Sequence, residues 1–319
     1  MGLRGGIDLG GTKIQTAIVD EGNDVRGQAR VPTPKDAGPE SVLEAIAGAM
    51  RAAAEQAGVK TSDLDGVGMG SPGDVDPAAG TVTNAYNVVP DWNRTIKVAE
   101  LLQKELGTKI GLGNDVRVAT TAEFELGAGK PYKSLLGVFW GTGVGGGVIL
   151  DGKPWRGRGA AGEIGHMVVR RNGARCTCGR DGCMEAYSGR RAMELEARRR
   201  HHDGHKTTLF KIMEKKGRDA LTSGVWSDAL DHGDKLATDL IDRAVDALGA
   251  GVASAVNLLD VEAVVIGGGL GTRLGDPYVE RIKTAMHPHL FVDTRPPAVH
   301  LAGLGDLGGA LGAALLVKS

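Results

Sequence analysis

The sequence predicts an α/β protein of two lobes, one pattern used twice with a cleft between the halves. Three observations carry this expectation. Gly6 to Asp20 (G-I-D-L-G-G-T-K-I-Q-T-A-I-V-D) and Val138 to Asp151 (V-F-W-G-T-G-V-G-G-G-V-I-L-D) both read strand, glycine turn, strand. They align without a gap, Gly10 with Gly141, Ala17 with Val148, Ile18 with Ile149 and Asp20 with Asp151, as a duplicated unit would. After each hairpin, short apolar runs alternate with stretches of helical period, and 319 residues suffice for two cores.

Taken in order, Ser41 to Gln56 has helical apolar spacing, with Gly58 as its C-cap. Leu64 to Met69 and Lys109 to Leu112 read as strands, the second leading into Asn114-Asp115 and a helix from about Val116. Leu236 to Leu259 reads as a helix, with Leu236, Leu240, Ala244, Leu248, Val252 and Val256 on one stripe. Ala263 to Ile266 is a buried strand ending at Gly267-Gly268-Gly269, and Asp276 and Pro277 are expected as N-cap and N1 of the next helix. A last strand and an apolar helix, Leu307 to Val317, close the chain. The first lobe is expected over 1–113, joined by the closing segment from about 305 to 319, and the second over 114–304.

Lys and Arg number 38 against 39 Asp and Glu, so no overall field draws nucleic acid or a membrane surface. Arg198 to His205 is locally basic but lacks interleaved aromatics, and reads as a solvated helix end. The opening M-G-L-R-G-G has no apolar core of a signal peptide, and the longest uncharged apolar stretch, Ser134 to Leu150, is short of a membrane span. A cytoplasmic protein is expected, and thiols held by metal suit that reducing compartment.

The three cysteines, Cys176, Cys178 and Cys183, lie in C-T-C-G-R-D-G-C-M-E, with His166 just upstream in G-E-I-G-H. This spacing matches a tetrahedral Cys₃His zinc knuckle, with Gly179 and Gly182 at its tight turns. Glu163 and Glu185 flank the knuckle, which can fix both as ligand-binding carboxylates. Asp8-Leu9-Gly10-Gly11-Thr12-Lys13 is not a Walker A loop, since Thr12 separates glycine from lysine and no helix follows. The hairpin can still offer backbone N–H groups and Lys13 to phosphate oxygens, with Asp8 facing magnesium. Gly141-Thr142-Gly143-Val144-Gly145-Gly146 fits G-x-G-x-x-G, but a strand follows it where a dinucleotide fold needs a helix; it reads as a second phosphate-facing hairpin. Gly267 to Leu270 joins strand to helix where backbone can approach a nucleotide. Asn114-Asp115 reads either as a helix cap or as a general base at the cleft.

Together, D-L-G-G-T-K (8–13), S-P-G (71–73), N-D (114–115), G-T-G-V-G-G-G-V-I-L-D-G-K (141–153), G-A-A-G-E-I-G-H (159–166), C-x-C-G-x-x-G-C-x-E (176–185) and G-G-G-L (267–270) resemble the ROK family of repressors and sugar kinases, its bacterial glucokinases above all. The resemblance implies the two-lobed actin-like, ribonuclease-H-like ATPase fold, with its active site in the interlobe cleft and a structural zinc knuckle over 166–183. It implies Asp115 as catalytic base, and Asn114, Asp115, Glu163, His166 and Glu185 at the sugar, with Asn87 or Asn84 as a further contact. It places structural zinc on His166, Cys176, Cys178 and Cys183, the second ring nitrogen of His166 turning to the sugar. Nucleotide binding falls to Asp8, Gly10, Gly11, Thr12, Lys13, Gly141, Thr142, Gly143, Gly268 and Gly269. The implied reaction is ATP- and magnesium-dependent phosphorylation of the glucose 6-hydroxyl, in a homodimer or homotetramer. Mannose, fructose, N-acetylated amino sugars and a polyphosphate donor stay open, as does a non-catalytic sensor. A DNA-binding repressor of the family would need a helix-turn-helix ahead of the first strand, which starts by Gly6.

Overall fold

The computed structural model describes residues 2–35, 38–86 and 88–317. Its contacts divide the chain into two units, Met1–Lys130 with Gly303–Ser319, and Pro131–Ala302. The first unit opens on β1 (Arg4–Leu9) and β2 (Lys13–Val19), antiparallel across the expected glycine turn, with β3 (Val25–Pro32) on β2. The first two strands are buried almost throughout, on Ile7, Leu9, Ile14, Ala17, Ile18 and Val19, with Arg4, Asp8 and Lys13 half-buried at their ends. Helix α1 (Gly38–Gln56) lays Val42, Leu43, Ile46, Met50 and Ala53 on this sheet. Strand β4 (Gly66–Ser71) runs parallel to β1; β5 (Asp74–Asp76) and β6 (Thr81–Thr83) make a separate small ladder. Helix α2 (Val98–Leu106) stops at left-handed Gly107, and β7 (Ile110–Asn114), parallel to β4, runs into α3 (Asp115–Glu125). The sheet order is β3-β2-β1-β4-β7.

The second unit repeats this plan. Strands β8 (Leu135–Trp140) and β9 (Val144–Leu150) form the second hairpin, and β10 (Lys153–Pro154) follows a turn at Asp151-Gly152. Helices α4 (Glu185–Ser188), α5 (Arg190–His202), α6 (Leu209–Lys215) and α7 (Ser223–Asp231) lead to α8 (Lys235–Leu259). Asp234 caps α8 by accepting from the Ala237 N–H, and all six expected stripe residues are buried. Next come β11 (Ala263–Gly267), α9 (Gly268–Leu274), α10 (Asp276–Met286) and β12 (Ala298–Leu301). The order β10-β9-β8-β11-β12 matches the first sheet strand for strand. One expectation needs correction: Gly275, not Asp276, is the N-cap of α10. Left-handed Gly275 closes α9 by donating to Gly271 and opens α10 in the same step, which moves Asp276 and Pro277 inside the helix.

Each unit has its own core, around Trp92, Ile7, Ile18 and Met50 in the first, and Trp140, Trp226, Leu248 and Val264 in the second. The chain then returns, and α11 (Gly308–Ala314) packs on β1, β4 and α3. The approach is backbone on backbone: a Cβ at Gly68 would lie 1.7 Å from the Ala313 carbonyl, and one at Gly6 1.9 Å from that of Ala310. Helix α3 therefore belongs to the first unit, past the break expected at 113/114. Buried Glu123 accepts from the backbone N–H groups of Ala128 (3.1 Å), Gly303 (2.9 Å) and Leu304 (2.9 Å), pinning the chain where it leaves and re-enters this unit. No described helix is long and apolar enough to cross a membrane.

Candidate active site

Glu163 precedes a single 3-10 turn, Ile164–His166, held tightly to β9: a Cβ at Gly165 would meet the Val144 carbonyl at 2.0 Å. Beyond it the chain folds back through bridges Val168–Cys183 and Arg175–Asp181, with Gly179 and Gly182 left-handed as expected. One ligand atom from each of His166, Cys176, Cys178 and Cys183 lies within 4.8 Å of the others. Cys176 Sγ is 3.7 Å from His166 Nδ1, and Cys178 Sγ is 3.6 Å from Cys183 Sγ. A tetrahedral ion with bonds of ~2.3 Å sets its ligand atoms about 3.8 Å apart, so the set fits zinc. The thiols agree. Burial pushes Cys183 up to about 12 and also raises Cys176. Cys178 is also opposed by burial, but the Arg180 N–H and the neighbouring thiols bring it down to about 6. Thiolate ligands need a positive partner where burial opposes their charge, and a divalent cation at this set would supply it.

Glu185 starts α4, and its carboxylate accepts from the Val144 N–H (2.8 Å) and the Thr177 hydroxyl (3.3 Å). It thus ties the knuckle to the β8–β9 hairpin, a link that sequence spacing does not reveal. The hairpin turn is fastened again from α5, whose Arg190 and Arg191 N–H groups donate to Gly141 and Thr142. Gly268 is left-handed, and a Cβ there would lie 2.5 Å from the Trp140 carbonyl; the Gly269 nitrogen is 3.7 Å from a Cβ at Gly141. The structure therefore brings together Gly141, Thr142, Gly143, Gly268 and Gly269. It adds Arg190 and Ser223, which no motif announced.

In the first unit, the Gly10 N–H bonds to the Lys13 carbonyl (3.0 Å) and Thr33 Oγ1 to that of Gly10 (2.7 Å), fixing the turn. Burial pushes half-buried Asp8 up to about 6 against the pull of Lys13. Lys13 Nζ bonds to Asp306 Oδ1 at 2.8 Å and holds that carboxyl below its usual range. Asp306 was also missed: it follows β12 at the far end of the chain, and no local pattern links it to Lys13. Asn114 caps α3 by accepting from the Arg117 N–H (3.2 Å), and Asp115 is the half-buried first residue of that helix. Asn84 donates to Asp74 and accepts from the Tyr86 hydroxyl, both at 2.8 Å. Asn87 lies outside the described residues.

The ROK family matches residues 4–319, and the chain belongs to that family. It is 33% identical to a glucokinase of Thermotoga maritima over 320 residues, covering 98% of this chain and 96% of that protein. It is 33% identical to an N-acetylgalactosamine kinase of Shewanella sp. over 321 residues, covering 98% and 95%. The crystal structure of a ROK family glucokinase from Streptomyces griseus in complex with glucose and AMPPNP superposes with a TM-score of 0.83 at 33% identity, covering 99% of each chain.

Proposed function

We propose that the protein is an ATP-dependent hexose kinase that phosphorylates the 6-hydroxyl of glucose. The observation that carries this reading is Asp115, half-buried at the carboxyl end of parallel strand β7, where open α/β sheets bind their ligands. A carboxylate there can accept the hydroxyl proton as the oxygen attacks the γ-phosphoryl group. Asp8 is the residue that would face a magnesium ion bound with the donor, and such an ion would neutralise phosphate charge. Backbone N–H groups of the two hairpins and Lys13 orient the phosphates, and Gly268-Gly269 admits the nucleotide. Asn114, Glu163, His166 and Glu185, with Asn87 or Asn84, hold the sugar hydroxyls. His166 turns Nδ1 to the Cys176 sulfur, which leaves Nε2 for the sugar. Zinc in the knuckle supplies rigidity. The same reading makes the enzyme cytoplasmic and a homodimer or homotetramer.

A second reading, a kinase of an N-acetylated amino sugar, is supported by the 33% identity to the Shewanella enzyme. A direct assay of sugar phosphate release tests both, with glucose, mannose, fructose, N-acetylglucosamine and N-acetylgalactosamine against ATP and polyphosphate. Glucose with ATP is expected to give the highest kcat/KM. Preference for an acetylated sugar moves the reading to the second. No sugar-dependent release with any pair overturns both and favours a non-catalytic sensor.

A further inference from the structure

Arg190 is the first residue of α5, and its backbone N–H is committed to the Gly141 carbonyl. Its guanidinium is held by two neutral hydroxyls, Nη1 on Ser223 Oγ at 2.9 Å and Nη2 on Thr142 Oγ1 at 3.0 Å. Among the described residues it makes no ion pair, whereas Arg198, Arg199 and Arg200 on the same helix all pair with carboxylates. Burial depresses its pKa, and only the charge of Glu194 acts against that. A guanidinium partly withdrawn from water, and held by hydroxyls with no carboxylate in hydrogen-bond reach, suits a place where an anion arrives.

The neighbourhood says which anion. Thr142, which Arg190 grips, is the tip of the second hairpin. Ser223, its other partner, lies 3.7 Å from a Cβ at Gly269. The guanidinium thus spans the glycine hairpin and the glycine start of α9. Both anchoring contacts are hydroxyls, which hold the fork in place without cancelling its charge.

We propose that Arg190 binds the diphosphate of the phosphoryl donor, a role that rests on the kinase reading above. Negative charge grows on the leaving diphosphate as the γ-phosphoryl group departs, and a fixed guanidinium stabilises it there. Thr142 and Ser223 are its positioning residues.

The test uses the full-length, zinc-loaded protein and compares ADP with adenosine, which shares the nucleoside but has no charge. Calorimetry on wild type, Arg190→Gln and Arg190→Lys gives the affinities, and thermal melting monitors the fold. Arg190→Gln is expected to weaken ADP ~10–100-fold, as loss of a charged hydrogen-bonding partner does. Adenosine affinity and the sugar KM should change less than twofold, and Arg190→Lys should recover part of the ADP loss. Unchanged ADP affinity in Arg190→Gln would overturn the proposal. Equal losses of ADP and adenosine would also overturn it, since they mark a merely structural bridge between Thr142 and Ser223. Wild type that binds neither ATP nor ADP would instead remove the kinase reading itself. If Arg190→Gln fails to fold, Ser223→Ala serves: it frees one anchor and should weaken ADP more than adenosine, and equal effects on the two overturn the assignment.

Discussion

Asp115 owes its place to one joint, the step from β7 into α3, where Asn114 caps the helix and leaves the next carboxylate at its mouth. Asp115→Asn keeps that shape and removes the carboxylate proposed as base. It should lower kcat by ~10²–10⁴-fold while the sugar dissociation constant stays within threefold, by coupled assay and calorimetry; a near-wild-type kcat would sink the assignment. Asp8 carries a pH signature. Its carboxyl titrates at about 6 in the folded chain against 3.8 for the free group. Below the lower value both states are protonated and nothing is lost. Between the two the folded chain alone keeps the proton, so stability falls as pH rises, and above the upper value the whole cost remains. Asp8→Asn should therefore be more stable than wild type near pH 8, by on the order of 2 kcal/mol after allowing for partial exposure, and no different near pH 3. Urea titrations without magnesium or nucleotide read this, and a constant gap across pH would refute it. The sequence identifies these residues by type and local spacing. It is silent on partners, since Lys13 meets Asp306, and Glu185 meets Val144, only once the chain is folded.

At the scale of elements, the periodic pieces were legible and the contacts between them were not. The stripe of α8 was readable because its burial repeats every turn, and the paired hairpins because each sets two buried runs about a glycine turn. The start of α10 slipped by one residue because left-handed Gly275 overrides the capping preference of Asp276. The knuckle was legible because its ligands are close in sequence, and its consequence is testable. One zinc per chain is expected by plasma mass spectrometry. Chelation or Cys178→Ser should raise the sugar KM at least ~10-fold, because the loop without metal loses the shape that holds His166 and Glu185. Full activity in Cys178→Ser, or active protein purified free of zinc, would contradict this. The strands under α11 give a second test. Gly68→Ala drives a methyl into the Ala313 carbonyl, 1.7 Å away, and should cost about 3 kcal/mol in urea unfolding, the upper range for overpacking. A loss below ~1 kcal/mol would mean that α11 shifts easily.

For the whole molecule, the gapless alignment of the two hairpins did foretell two sheets of matching order. The place of α3 was not foretold, because glycine contacts with α11 decide it, and a glycine's spacing does not say what approaches it. The units also differ in continuity. The second is one stretch, Pro131–Ala302, with its own core, whereas the first needs both ends of the chain. Residues 131–302 expressed alone should fold cooperatively and bind one zinc, while 1–130 without 303–319 should not; circular dichroism and metal analysis decide, and a cooperatively folded 1–130 would contradict the role given to α11. Synthesis acquires a direction from this. A ribosome delivers the second unit complete while the first still waits for its last helix. At ~5–20 residues per second the wait is roughly 10–40 s. Throughout that interval the glycine-lined face of β1 and β4 stands bare on the nascent chain, and a message broken just past Ala302 releases a product with one finished half and one that a protease can take.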